Sequence, residues 1–321
     1  MPFVDPQANR PLLATVSRQW QWAIERQSFR HIYVKSTELE IFQEFVTGHR
    51  RRFVRSVRYT IILPDYTDEA ATQFEREADR QTNNVAFTAA LYGLFQILQS
   101  WGTSSDSGSP YSIEVRIEDI YFPMDYGRRD LGSYVRYQEV RPAEGGDGET
   151  ASPRDLLHHR YIHSSLCLIQ STDLPVVPAV RSFNVNSFRL YGRTIAPESV
   201  LEIAAKLPNL RRCWLGLRHG SIRYPALHRA RRVILTHALE RVALPNSIEQ
   251  LRMAMLPNII TNQSWHPPRV VDHGTGCDPL SRALWKATAY LPCLTTLDIG
   301  GLIDRSLFGS DIPNTVIQPF W

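Results

Sequence analysis

The sequence predicts an α/β fold in which one strand and one helix alternate along a repeating array. A short apolar phrase, Φ-x-x-Φ-x-Φ with Φ apolar, recurs along the 321 residues, and a helix-like segment precedes most copies. The copies begin at Phe29, Val54, Val180, Leu210, Ile248 and Leu294. Leu-Pro separates helix from strand in the last three copies, and proline keeps the residue before it out of helical geometry. Such units cannot bury their apolar faces alone, so the repetition predicts a stack of units.

The first element is a helix that leads into the first copy of the phrase. Its apolar positions recur at steps of three and four residues, and we expect the face that they share to be buried. These positions are Leu13, Val16, Trp20, Ala23 and Ile24. Trp20 has two interpretations, an anchor in the core or a contact with another protein, and the sequence does not separate them.

A second helix and two strands are predicted from capping and alternation. Residues 37–48 begin with a capping-box pattern, and Gly48 fits a helix stop. Residues 53–63 and 111–122 each alternate between apolar and polar side chains, which is typical of half-buried strands.

The predicted helices between these strands and the later repeats are less regular. Residues 65–101 form the longest helical segment, and Asn83 or Asn84 either caps a second helix there or lies inside one unbroken helix. Residues 127–154 are rich in glycine, proline and charge, and we expect a long exposed insertion. Residues 156–170 are predicted to form a helix.

The last three units are the clearest. Each is a helix followed by Leu-Pro and a strand, and the helices cover residues 197–207, 227–242 and 280–291. Uneven spacing of the phrase makes the array a degenerate, leucine-rich-repeat-like solenoid with large insertions. Right-handed strand–helix–strand connections then predict a mostly parallel sheet with the helices outside it. The chain ends without the polar cap that a solenoid needs, so we expect it to be cut there.

Composition and charge limit the function classes. Hydrophobic residues make up 43 % of the chain and charged residues 21 %, which is typical of globular proteins. A net charge of +4 is weak for a nucleic-acid binder. The four cysteines lack a C-x-x-C pattern, and neither a signal peptide nor a membrane-spanning apolar run is present. We therefore predict an intracellular protein, cytoplasmic or nuclear, without nucleic-acid or membrane partners.

Motifs for catalysis are missing from the sequence. It has neither a G-x-S-x-G elbow nor a phosphate-binding glycine motif. His159, His163 and Cys167 lie at helical spacing but lack a matching fourth ligand, so we predict no metal site. The basic run at residues 49–52 is interpreted as a solvated turn beyond a helix end. We predict no catalytic residue and no cofactor.

Residues 13–63 carry a resemblance to a known family. Val16, Ser17, Arg18 and Trp20 match the V-S-R-x-W that ends an F-box, and a strand, a helix and a second strand follow. In this respect the chain resembles fungal F-box proteins with degenerate leucine-rich repeats. The resemblance implies a remnant F-box-like helix at residues 1–28, truncated in its N-terminal half, and a repeat domain at 29–321.

The resemblance also implies a function. F-box proteins of this kind are non-enzymatic, substrate-recruiting subunits of cullin-based ubiquitin ligases. They hold a small adaptor subunit through the F-box and a substrate protein through the repeats. Leu13, Val16 and Trp20 would then belong to the adaptor or F-box interface. Two alternatives remain open: a repeat-type scaffold that no longer binds the adaptor, and an enzyme of unrecognised type.

Overall fold

The structure is a computed structural model. It describes residues 15, 17–67, 70, 74–101, 112–123, 164–185, 193–218, 225–256 and 278–300. Within these residues seven strands form one sheet, all neighbours are parallel, and the spatial order follows the chain order from β1 to β7. The strands are β1 His31–Lys35, β2 Ser56–Ile62, β3 Ile113–Tyr121, β4 Val180–Val185, β5 Arg212–Arg218, β6 Gln250–Leu256 and β7 Thr296–Gly300. The predicted α/β class and parallel sheet are confirmed.

Six α-helices accompany the sheet in the described part of the chain. They are α1 Arg18–Ser28, α2 Leu39–Phe45, α3 Glu77–Gln99, α4 Pro197–Ala205, α5 Pro225–Arg241 and α6 Pro279–Ala289. Helices α4 and α6 begin at proline, whose missing N–H costs nothing in a first turn. A sheet that grows by one parallel strand at a time, with right-handed connections, places its helices on the same face.

One hydrophobic cluster fills the space between the sheet and the helices. It runs from Val34 to Leu291, and among its largest fully buried side chains are Trp101, Tyr59, Phe87 and Phe183. Alternate residues of each strand contribute to this core, because successive side chains of a β-strand point to opposite faces of the sheet. In β2, for example, Val57, Tyr59 and Ile61 are completely buried.

The long helix α3 settles the question about Asn83 and Asn84. Both lie inside one helix and both are buried, so neither caps a second helix. Asn83 donates a hydrogen bond from Nδ2 to Glu75 Oε1, and Asn84 Oδ1 accepts one from the backbone N–H of Cys167. The polar interruption that suggested a helix break therefore binds two neighbouring segments.

The helix predicted at residues 156–170 is wrong over its described part, residues 164–170. Leu166 instead forms a parallel bridge with Ile195. The backbone N–H groups of Cys167 and Ile169 are bound by side chains of α3. These long-range bonds replace the local ones of a helix, which sequence periodicity does not reveal. The predicted insertion at 127–154 lies outside the described residues.

Helix α1 also differs from its prediction. Trp20 is 51 % exposed and Ala23 is exposed, whereas the buried residue of the helix is Glu25. The expectation that the apolar face is the buried one is therefore wrong over residues 18–28. Ile24 of the same face is half-buried, and Leu13 and Val16 lie outside the described residues.

Candidate functional site: the open face of the sheet

The face of the sheet opposite the helices carries a row of large polar and aromatic side chains. One residue from each strand lies at the same register, so the row crosses the whole sheet. Its members, from β1 to β7, are Tyr33, Arg58, Arg116, Asn184, Trp214, Arg252 and Asp298. Adjacent parallel strands lie about 4.8 Å apart, so neighbours in this cross-strand row are within side-chain reach of one another.

The β1–β3 end of the row is held by polar contacts. Arg58 donates a hydrogen bond from Nη1 to the Tyr33 hydroxyl at 2.6 Å, and its guanidinium lies 5.0 Å from the centre of that ring. Arg58 also pairs with Glu118 at 3.3 Å, and Arg116 pairs with Glu114 at 3.0 Å. Each arginine is thereby held in place while part of its guanidinium remains accessible.

The β5–β7 end repeats this arrangement with different residues. The Arg252 guanidinium lies 4.3 Å from the centre of the Trp214 ring and pairs with Asp298 at 2.9 Å. A planar cation stacked on an aromatic face is a rigid, amphipathic contact surface. Tyrosine, tryptophan and arginine are the residues that dominate binding energy at protein interfaces.

The middle of the row contains an unsatisfied group. Asn184 is only 8 % exposed, and its Oδ1 atom accepts no hydrogen bond within the described part of the structure. Its neighbour Arg116 has a buried Nε atom that likewise has no hydrogen-bond partner there. One acceptor and one donor side by side match the N–H and C=O groups of a polypeptide backbone.

Helix α1 is attached to the rest of the protein through a buried carboxylate. Glu25 accepts hydrogen bonds from Arg50, at 3.2 Å from Nε and 2.9 Å from Nη2, and lies 2.7 Å from His49 Nε2. Burial raises the pKa of Glu25, but the hydrogen bonds from Arg50, His49 and Gln21 outweigh it and lower the pKa to about 2. The basic run is therefore more than a solvated turn.

Trp22 completes the attachment of α1. Its ring meets Phe53 edge to face with 5.5 Å between the ring centres, and Arg26 lies over the same ring at 5.4 Å. The opposite side of the helix leaves Trp20 uncovered. Of the three residues predicted for the adaptor or F-box interface, only Trp20 is therefore described, and its position on the surface leaves it available for contact.

The next question is whether the described residues include a metal site. Among them no group of three or more His, Cys, Asp or Glu side chains could hold an ion. Cys167 is exposed, and His159 and His163 lie outside the described residues. Among the described helices none is long and apolar enough to cross a membrane.

Sequence reasoning missed the cross-strand row. The signal was present, since the fifth position of the phrase holds Tyr33, Arg58, Asn184, Trp214, Arg252 and Asp298 in the six copies.

Comparisons with known proteins do not identify a family: no family model matches the chain, and no curated protein is significantly similar to it.

Proposed function

We propose that this protein is a non-enzymatic protein-recognition module that holds a partner against the open face of its sheet. The observation that carries the proposal is the continuous cross-strand row. Its half-buried and exposed guanidinium and aromatic groups, with acids beside the arginines, form a surface suited to protein contacts. A regular sheet gives such groups fixed positions, which lowers the entropy lost on binding.

We further propose that the module is a substrate-recruiting, F-box-type subunit of a cullin-based ubiquitin ligase. The exposed Trp20 of α1 would contact the small adaptor subunit, and the row would contact a substrate protein. The protein would perform no bond chemistry. It would raise the effective concentration of the substrate near the conjugating enzyme. The fixed attachment of α1 through Glu25 and Trp22 supports this arrangement, since it would hold adaptor and substrate in one geometry.

The second candidate is a repeat-type scaffold that has lost adaptor binding. The observation that favours it is that α1 packs on the 3-10 turn Gly48–Phe53 of the repeat domain, as an end unit of the array would. An enzyme of unrecognised type is the third alternative, and none of the contacts described above specifically favours it.

Co-elution with a purified adaptor subunit on a sizing column tests the ligase proposal. We expect a complex with the wild-type chain and its loss with Trp20→Ala. The matched control is Trp285→Ala on α6, a tryptophan of similar exposure far along the chain, which should leave the complex intact. Failure of the folded wild-type chain to bind would refute the ligase proposal and favour the scaffold.

A further inference from the structure

A line of arginines runs along the edge of the sheet at which the strands begin. The second position of the phrase holds arginine in four of the six copies, namely Arg30, Arg55, Arg181 and Arg211. The structure stacks these positions. The backbone N–H of Arg55 donates to the carbonyl of Arg30 at 3.0 Å, and the N–H of Arg211 donates to the carbonyl of Arg181 at 2.9 Å. We call these four residues the arginine rim.

The rim has a defined length. Its members belong to the starts of β1, β2, β4 and β5, and Ile113 occupies the corresponding place in β3. Four steps of about 4.8 Å between strands give roughly 19 Å from end to end. An extended peptide covers that distance with about six residues, at roughly 3.3 Å for each.

Much of the positive charge on the rim is uncompensated. Arg30, Arg55 and Arg211 are exposed, as is Arg212 beside them. Arg211 pairs with Glu249 at 3.2 Å. Within the described part of the chain, no carboxylate pairs with Arg30, Arg55 or Arg212. Arg181 is half-buried and donates to the carbonyl of Asn209. The rim therefore presents guanidinium groups that have few competing internal partners.

The arginine rim differs from the cross-strand row in how many of its arginines have an acidic partner. On the open face, Arg58, Arg116 and Arg252 each have an acidic partner. At the rim position the acid is Glu249, directly before β6, so negative charge enters only at the far end. From β1 to β5 this position holds four arginines and the neutral, buried Ile113, so a ligand that crosses these strand starts meets no acid there.

We infer that the arginine rim binds an acidic, extended segment of a partner protein, laid across the starts of the strands. The inference rests on the proposed recognition function and names the class of segment that the module takes. Arginine binds carboxylates in a planar, two-pronged geometry. A protein ligand fits better than a nucleic acid, because single-stranded binding uses aromatic stacking platforms and no aromatic residue lies at the rim position of any described strand.

Binding is measured by fluorescence anisotropy with the full chain and a labelled peptide of about ten residues in which Glu alternates with Ser. We expect Arg30→Glu with Arg55→Glu to weaken binding about tenfold, since each reversal removes one exposed ion pair and adds one repulsion. Arg211→Glu with Arg212→Glu should do the same. The matched control is Arg229→Glu with Arg282→Glu on α5 and α6, which are also exposed, and it should change binding less than twofold.

Four results would overturn the inference. The first is equal weakening by the control pair, which would mean diffuse attraction to net charge. The second is equal binding of a peptide with Gln in place of Glu, and the third is no binding of the Glu peptide. The fourth is tighter, rim-dependent binding of an oligothymidylate. Circular dichroism melting of each variant checks folding, and the two rim pairs provide independent tests.

The adaptor experiment separates this inference from the proposed ligase function. A chain that co-elutes with the adaptor but ignores the acidic peptide refutes the rim and leaves the ligase proposal standing. A chain that binds the peptide through Arg30 and Arg55 but never binds the adaptor supports the rim and refutes the ligase proposal.

Discussion

Glu25 is expected to hold α1 onto the repeat domain, and Glu25→Gln tests this directly. Glutamine has nearly the same shape as glutamate but lacks the charge that binds Arg50 and His49. We expect removal of this charge to have a measurable effect on stability, because only 10 % of the Glu25 side chain is exposed. Its interactions with Arg50 and His49 are therefore screened less by solvent than those of a surface ion pair.

The size of the effect follows from the pKa. A fall from the ordinary value of 4.5 to about 2 corresponds to about 3 kcal/mol, at roughly 1.4 kcal/mol for each pH unit. His49 and Arg50 are themselves 53 % and 30 % exposed, so solvent reduces the contribution. We expect Glu25→Gln to cost about 2 kcal/mol in the free energy of unfolding at pH 7, measured by urea denaturation.

The pH dependence has a defined direction. Because the folded protein lowers the pKa of Glu25, the stabilisation is fully present above pH 4.5 and is lost as the pH falls towards about 2. The difference between wild type and Glu25→Gln should therefore be constant near neutral pH and shrink below pH 4.5. Taking the difference between the two proteins cancels the contributions of all other carboxylates.

Hydrogen exchange distinguishes release of α1 from global unfolding. If α1 detaches alone, exchange in residues 18–28 should accelerate by up to about 30-fold in the variant, while the core of the sheet stays protected. Glu44→Gln on α2 is the matched control, since Glu44 is exposed, and it should change stability by less than about 0.5 kcal/mol. A Glu25→Gln variant that matches wild type in both measurements would refute this account of Glu25.

Three further predictions concern the core. Arg193 Nη2 donates to both carboxylate oxygens of Glu75, at 2.7 and 2.8 Å, and the pair has almost no exposure. Glu75→Ala should therefore cost about 3–5 kcal/mol in urea denaturation, and Glu75→Leu with Arg193→Met should recover much of it; no recovery would contradict this. Tyr59→Phe should cost about 1 kcal/mol, because the hydroxyl donates to the buried carbonyl of Ala90 at 2.7 Å; an unchanged urea midpoint would refute it. Burial raises the pKa of the Cys213 thiol to about 12. This thiol should therefore not react with a thiol reagent until the chain unfolds, and mass spectrometry of labelled peptides measures the reaction. Labelling of Cys213 in the folded chain would refute this prediction.

Local patterns were sufficient for the repeating elements. The helix predicted at 197–207 is Pro197–Ala205, and the helix predicted at 280–291 is Pro279–Ala289. The strands at Val180 and Leu210 also lie where the phrase places them. These predictions succeeded because periodicity, proline and Leu-Pro act within a few residues.

Predictions failed or stayed open where a partner outside the element decided the outcome. The sequence left open whether Asn83 and Asn84 cap a second helix or lie inside one, and their bonds with Glu75 and the backbone N–H of Cys167 accompany the unbroken helix α3. Residues 164–170 looked helical, but side chains of α3 and the backbone of Thr194 and Ala196 bind this segment instead. In α1, Arg50 and His49 turn Glu25 inward, although Trp20 is far more apolar.

The sequence by itself determined that this protein is a parallel α/β array, because the six copies of the apolar phrase, and the Leu-Pro stops before the last three, are read from a few neighbouring residues. Only the tertiary structure decided which side chains meet. The cross-strand row and the arginine rim exist because parallel pairing brings one position of the phrase from each strand to the same level. Rim neighbours such as Arg30 and Arg55, or Arg181 and Arg211, are separated in the chain, and no local propensity links them; the register of the sheet does.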